Sequence, residues 1–120
     1  MTIIKSFTSL EQSKKLAEIL PLESADYHYI TQREKSYFYP YSLSSDAIKD
    51  YDEEIKYIPC WSLTALLSVL NFPSLTQNKE NEWEVCVFDH DNDDYIEKTA
   101  SNPVDACYEM IKSLHELNLL

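Results

Sequence analysis

Cys60 stands directly before Trp61 in Ile58-Pro59-Cys60-Trp61-Ser62-Leu63, and a thiol at the start of a helix is the placement that lowers a cysteine pKa and makes a papain-like nucleophile. His90, just beyond a strand-like run, would be its base. Against that reading, His90 lies between Asp89 and Asp91 in turn-forming sequence, and the chain has no glycine with which to line an oxyanion hole. A cysteine packed as a small hydrophobe is the simpler account. Asp89-x-Asp91-x-Asp93 imitates the first half of a calcium loop, but the sixth position is Asp94 where that loop needs glycine, and the twelfth is Ala100 where it needs a bidentate glutamate. A hairpin turn fits better. The three histidines, His28, His90 and His115, fall on separate stretches without zinc-ligand spacing, and Glu82 and Glu84 share what reads as the solvent side of a strand. No cofactor or metal is expected.

Those residues must be held by elements, and the most apolar stretch, Ile58 to Leu70, is the one around which the others should be arranged. Leu63, Leu66, Leu67 and Leu70 recur at i, i+3, i+4 and i+7, with Trp61, Ala65 and Val69 making the other side apolar too. This predicts a buried helix, capped by Cys60 or Ser62 and ended at Asn71-Phe72-Pro73, where Asn71 tolerates left-handed backbone. Ser9 with Gln12 three residues on matches a capping box for a first helix running to Leu20. Ser24 to Ile30 and Ser36 to Tyr39 alternate as an aromatic hairpin, and 42–57 reads as a loop or short helix carrying Asp50, Asp52, Glu53 and Glu54. Ser74 to Asn81 reads as a polar connection, Glu82 to Asp89 as the best strand, and Tyr95 to Thr99 as its return. Asn102 with Pro103 opens a last helix whose stripe is Val104, Cys107, Tyr108, Ile111 and Leu114. The order implies a single α+β domain over 1–120, three helices on one face of a mainly antiparallel sheet of about four strands.

Composition narrows the function. Twenty-one acidic residues against ten basic ones, a formal charge of -11, oppose direct binding to nucleic acid. The absence of glycine excludes a phosphate-binding loop and a dinucleotide fingerprint. No run is long enough to span a membrane, and Met1 to Phe7 lacks a secretory pattern, so a cytoplasmic protein with reduced thiols at Cys60, Cys86 and Cys107 is expected.

Ser9 to Leu16, Glu23 to Asp26, Pro59 to Leu67 and Pro103 to Ile111 together resemble a group of short uncharacterised proteins encoded in prophages and mobile elements of gut anaerobic bacteria. The resemblance implies a bacterial cytoplasm and an accessory gene. It brings no activity, cofactor or functional residue with it.

Seven of the nine tyrosines lie between Tyr27 and Tyr57, and Tyr27, Tyr29, Tyr37, Tyr39 and Tyr41 occupy alternate strand positions. They line either a core face or a binding surface, since tyrosine gives large contact area at low entropy cost. The expectation drawn from all this is a non-enzymatic protein-binding accessory protein, with those five tyrosines as partner contacts and a homodimer as one form. The alternatives are an acidic nucleic-acid mimic that inhibits a DNA-binding protein, and a cysteine-dependent hydrolase using Cys60.

Overall fold

In the computed structural model the described residues are 5–32, 35–36 and 55–120. They form three α-helices and six strands, all of whose pairings are antiparallel, so the chain is α+β. The described residues fall into two compact units, Phe7–Ala65 and Leu66–Leu120, the latter together with Lys5 and Ser6.

In the first unit, helix α1 (Leu10–Ala17) begins at the capping box read from the sequence: the Ser9 hydroxyl accepts from the Gln12 amide and the Gln12 side chain accepts from the Ser9 amide. Ser13 and Leu16 are its buried face, and the helix lies against β3 (Ile55–Cys60). Pro21 leads into a single 3-10 turn at Leu22–Ser24, closed by the Ser24 hydroxyl donating to the Pro21 carbonyl. β1 (Tyr27–Gln32) is flanked by β2 (Lys35–Ser36) and β3, with Tyr27 opposite Cys60 and Tyr29 opposite Ile58. Pro59 is tolerated because β3 is an edge strand of this sheet among the described residues, and an edge has ladder partners on one side only.

Ile58, Pro59 and Cys60 are therefore strand, and helix α2 is only Leu63–Val69. Ser62 is its cap, accepting from the Ala65 amide at 3.2 Å. The helix is also less buried than its composition implies: Ala65 and Leu66 are buried, but Thr64 and Ser68 are exposed.

In the second unit, β5 (Trp83–Asp89) is the middle strand between β4 (Ser74–Gln77) and β6 (Asp94–Ala100). Val85 and Val87 are buried on one face, beneath helix α3 (Pro103–Glu116), which lies against β5 and β6. Asn102 caps α3 by accepting from the Asp105 amide at 2.8 Å, and the Asp105 carboxylate pairs with Lys5 at 2.8 Å. Val104, Cys107, Ile111 and Leu114 are buried as the stripe requires, joined by Ala106 and Met110.

The expected single sheet of about four strands is thus two three-stranded sheets. Ser74 to Gln77, read as a connection, pairs with β5, and the residues leading into α2 pair with β1. The helices divide accordingly, α1 against the first sheet and α3 against the second. The 42–54 part of the expected loop or helix, with the acidic residues Asp50, Asp52, Glu53 and Glu54, lies outside the described residues.

Candidate functional site

Cys60 ends a strand inside a polar network rather than starting a helix. Its thiol donates to the Thr8 carbonyl at 3.5 Å and lies 3.6 Å from the Thr8 hydroxyl, which also meets Ser13 at 2.8 Å and accepts from the Trp61 amide at 3.1 Å. The Tyr29 hydroxyl donates to the same Thr8 carbonyl at 2.8 Å. Thr8, Ser13, Cys60 and Trp61 are all buried, and burial pushes the Cys60 thiol up and the Tyr29 phenol up to about 12. An activated nucleophile needs the opposite shift. What the network does is tie the segment before α1 to β3, so that Thr8 satisfies the first buried groups after the strand ends. A second staple lies beside it: the Asp26 carboxylate accepts from the Ser62 amide and hydroxyl, and Trp61 Nε1 donates to the Ser24 hydroxyl at 2.9 Å.

Of the five tyrosines, Tyr29 is interior and Tyr27 is half-buried, edge-on to Phe7 at 4.6 Å. Tyr37, Tyr39 and Tyr41 lie outside the described residues. For Tyr29 the core alternative is the one realised. Next to it in β1, burial lowers the His28 pKa, and Nδ1 of His28 has no partner among the described residues.

The turn at Asp89 explains its aspartates without calcium. The Asp89 carboxylate accepts from the Asp91 amide at 3.0 Å, from the Asn92 amide at 3.3 Å and from the Asn92 side chain at 2.6 Å, and these bonds hold its pKa down. Asp93 takes the left-handed conformation that a glycine would otherwise supply, at φ 52°. No cluster of three or more His, Cys, Asp or Glu among the described residues is arranged to hold a metal ion.

That turn borders a cavity that the second unit builds from several elements. Its volume is about 160 Å³. Val69 and Leu70 at the end of α2, Val87 and Phe88 of β5, and Leu114 and Leu119 from the end of α3 supply apolar walls, and Asp89, His90 and Asp91 supply a polar side. Leu119 is brought there by the way α3 stops. Asn118 adopts φ 58°, its amide donates to the His115 carbonyl, and the Leu119 amide turns back to the Leu114 carbonyl at 2.8 Å. This is a Schellman ending, with asparagine where glycine is usual and Leu119 folded back towards Leu114.

Segments at the same end carry most of the exposed large apolar side chains. Phe72 is 92% exposed, Tyr95 65%, Leu117 56% and Leu120 47%, and these are four of the five large apolar residues that stand out among the described residues. Each belongs to a segment that lines the cavity or touches it: Phe72 follows Asn71, Tyr95 packs edge-on to Phe88 at 5.1 Å, and Leu117 and Leu120 flank Leu119. Phe72 itself has φ 47°, a left-handed backbone that a bulky residue adopts only under constraint. The sequence reading gave that conformation to Asn71. The absence of glycine already implied that some other residue must turn the chain before Pro73, but nothing in the pattern named the phenylalanine.

Compared with family models, curated proteins and solved structures, the chain matches none.

Proposed function

We propose that the protein acts by binding another protein rather than by catalysis, through the apolar end of its second unit. The observation that carries this reading is that four of the five exposed large apolar residues, Phe72, Tyr95, Leu117 and Leu120, belong to segments of the second unit that line or adjoin one cavity. Scattered exposed hydrophobes need no explanation, but several on segments that border one concavity are what interaction surfaces present. The surface differs from the one expected from the tyrosine spacing, because Tyr29 is interior. A prophage or mobile-element accessory protein in the bacterial cytoplasm, as the resemblance implies, belongs to the same reading.

Affinity capture from bacterial lysate at low and high salt tests it, with the parent beside a Phe72→Ala, Tyr95→Ala double variant. Protein retained by the parent at both salts and lost by the variant supports the reading. Capture that survives the double variant, or that vanishes steeply with salt, refers binding to the acidic surface and sinks it.

A further inference from the structure

The longer outer strand of the second sheet leaves one side open. Among the described residues β6 pairs with β5 alone, and Asp94, Tyr95, Glu97 and Thr99 are exposed. Outside that ladder, the one main-chain group of β6 with a partner among the described residues is the Tyr95 amide, which donates to the Asp94 carboxylate at 2.7 Å. An amide bonded in this way is not spent on β5, so Tyr95 and, by the alternation of antiparallel pairing, Glu97 and Thr99 direct their main-chain groups off the sheet. A strand of seven residues with free donors and acceptors along one side is a template for another strand. The charges on β6 then say which strand fits. Asp94, Ile96 and Lys98 lie on the face of Val85 and Val87, with opposite charges at the two ends, and Lys98 is in no ion pair among the described residues.

We propose that β6 pairs antiparallel with β6 of a second copy of the chain, joining two three-stranded sheets into one of six strands about a two-fold axis at Ile96. Such an axis stands perpendicular to the sheet and sets residues of one face opposite each other, so it passes through a residue position and few are open to it. At Glu97 or Lys98 it sets a charge against its own copy, and at Tyr95 it sets Glu97 against Asp93. At Ile96 it sets Asp94 against the second copy's Lys98 at both ends of the contact, and Tyr95 against the second copy's Glu97, where a phenol meets a carboxylate. The same register brings together the outward main-chain groups of Tyr95 and Glu97 from the two copies, while the Asp94 carboxylate leaves the Tyr95 amide for the lysine across from it. A lysine on an outer strand ordinarily guards against pairing; here the same lysine selects a register. One strand pair is a small contact, of the class that associates reversibly. It uses the side of the sheet and not the cavity, so it goes beyond the protein-binding reading above and does not rest on it.

The test is light scattering over a concentration series reaching the high micromolar range, beside amide hydrogen exchange on β6. The parent is expected to dimerise, with the Tyr95 and Glu97 amides exchanging more slowly as dimer forms. Asp94→Lys and Lys98→Glu each place like charges across both ends of the contact and should weaken it by about tenfold. An equal mixture of the two variants should regain the dimer, because every charge then meets its opposite. A general charge effect predicts otherwise, since Asp94→Lys alone reduces the negative charge that keeps copies apart. If Lys98→Glu is unfolded, Lys98 being half-buried, Glu97→Pro takes its place, because it removes an outward amide that the ladder to β5 does not use. A parent that is monomeric throughout, charge variants that dimerise as the parent does, a dimer whose β6 amides exchange as in the monomer, or a dimer abolished by Phe72→Ala overturns the proposal. A monomeric parent whose Tyr95 and Glu97 amides slow on addition of bacterial lysate overturns the second copy and assigns the open side of β6 to a strand of another protein. Capture through the cavity end, which Phe72→Ala reads by itself, stands or falls separately.

Discussion

The two units solve the same problem with different materials. In Phe7–Ala65 the buried set includes Thr8, Ser13, Cys60, Trp61 and Tyr29, joined through hydroxyl, thiol and main-chain groups that converge on Thr8. In Leu66–Leu120 the interior is chiefly apolar, Val85, Val87, Val104, Cys107, Met110, Ile111 and Leu114 among it, with Asp89 a buried polar group that is bonded within its own turn. A polar interior specifies one arrangement because every group must meet its partner. An apolar interior stabilises without dictating partners, and it is this second unit that displays apolar residues outside.

The largest difference between the two interiors should appear on truncation. Met110→Ala, in the middle of α3 and buried, is expected to cost about 2–5 kcal/mol from lost transfer energy and a residual cavity. Urea melts read this directly. A loss under about 1 kcal/mol would mean that the α3 face can collapse around the gap, against the close packing inferred for it.

Thr8→Val tests the other interior with almost no change in volume. It leaves the Trp61 amide and the Ser13 hydroxyl without the oxygen they meet, and an unpaired buried group costs about 1–3 kcal/mol. Thr8→Ser, which keeps the oxygen, should recover most of that loss. If Val and Ser variants are equally unstable, the threonine methyl rather than the network is what matters, and the contrast between the units disappears.

This contrast also explains what was legible beforehand. The capping box at Ser9, the Asn102-Pro103 helix start, the β5 and β6 hairpin and the α3 stripe were all readable, because each is set by residues within a few positions of one another. The short Ser74–Gln77 strand was not, since its alternation rests on Leu75 alone and its partner strand supplies the rest. Cys60 read as a helix start because Pro59-Cys60-Trp61-Ser62 contains two plausible caps, and only pairing with Tyr27 across the sheet selects strand for the first. The polar network was invisible for the same reason: Thr8 and Cys60 are 52 positions apart. The candidate surface was legible only as an absence of glycine, which said that left-handed turns must occur but not that Phe72 would carry one.

Asn118 sharpens the comparison at the cavity. Its φ of 58° is tolerated by asparagine and free for glycine, whereas a residue with a plain Cβ pays about 1–2 kcal/mol there. Asn118→Ala should therefore destabilise modestly and Asn118→Gly should not. Because this turn carries Leu119 into the cavity wall, Asn118→Ala should also broaden the nuclear magnetic resonance signals of Leu114 and Leu119. Unchanged signals with lowered stability would separate the helix stop from the shape of the cavity.

The smallest effect lies on the face of β5 that is not covered by α3. Register places Glu97 opposite Cys86 and Thr99 opposite Glu84, so Glu84 and Glu97 are diagonal neighbours on that face. A hydrogen bond to Glu97, reinforced by the repulsion between the two carboxylates, raises the Glu84 pKa above its ordinary value of 4.5. A group whose pKa is raised on folding contributes stability that is present below its unfolded pKa and lost as the pH climbs through the folded one. Between pH 4.5 and 7 this pair should therefore make the parent slightly less stable as the pH rises. His28 acts in the opposite sense in part of that range, because its pKa is lowered from 6.5 and its contribution is lost as the pH falls. The parent's net slope is thus a poor readout, and the difference between parent and Glu84→Gln is the useful one. Thermal melts should show Glu84→Gln gaining on the parent as the pH rises from 4.5 to 7, with Glu97→Gln behaving alike because either substitution removes the contact between two carboxyl groups that raises the Glu84 pKa. Should Glu84→Gln gain and Glu97→Gln not, desolvation of Glu84 alone would account for its shift, and the two carboxyls would be independent residents of an open sheet face.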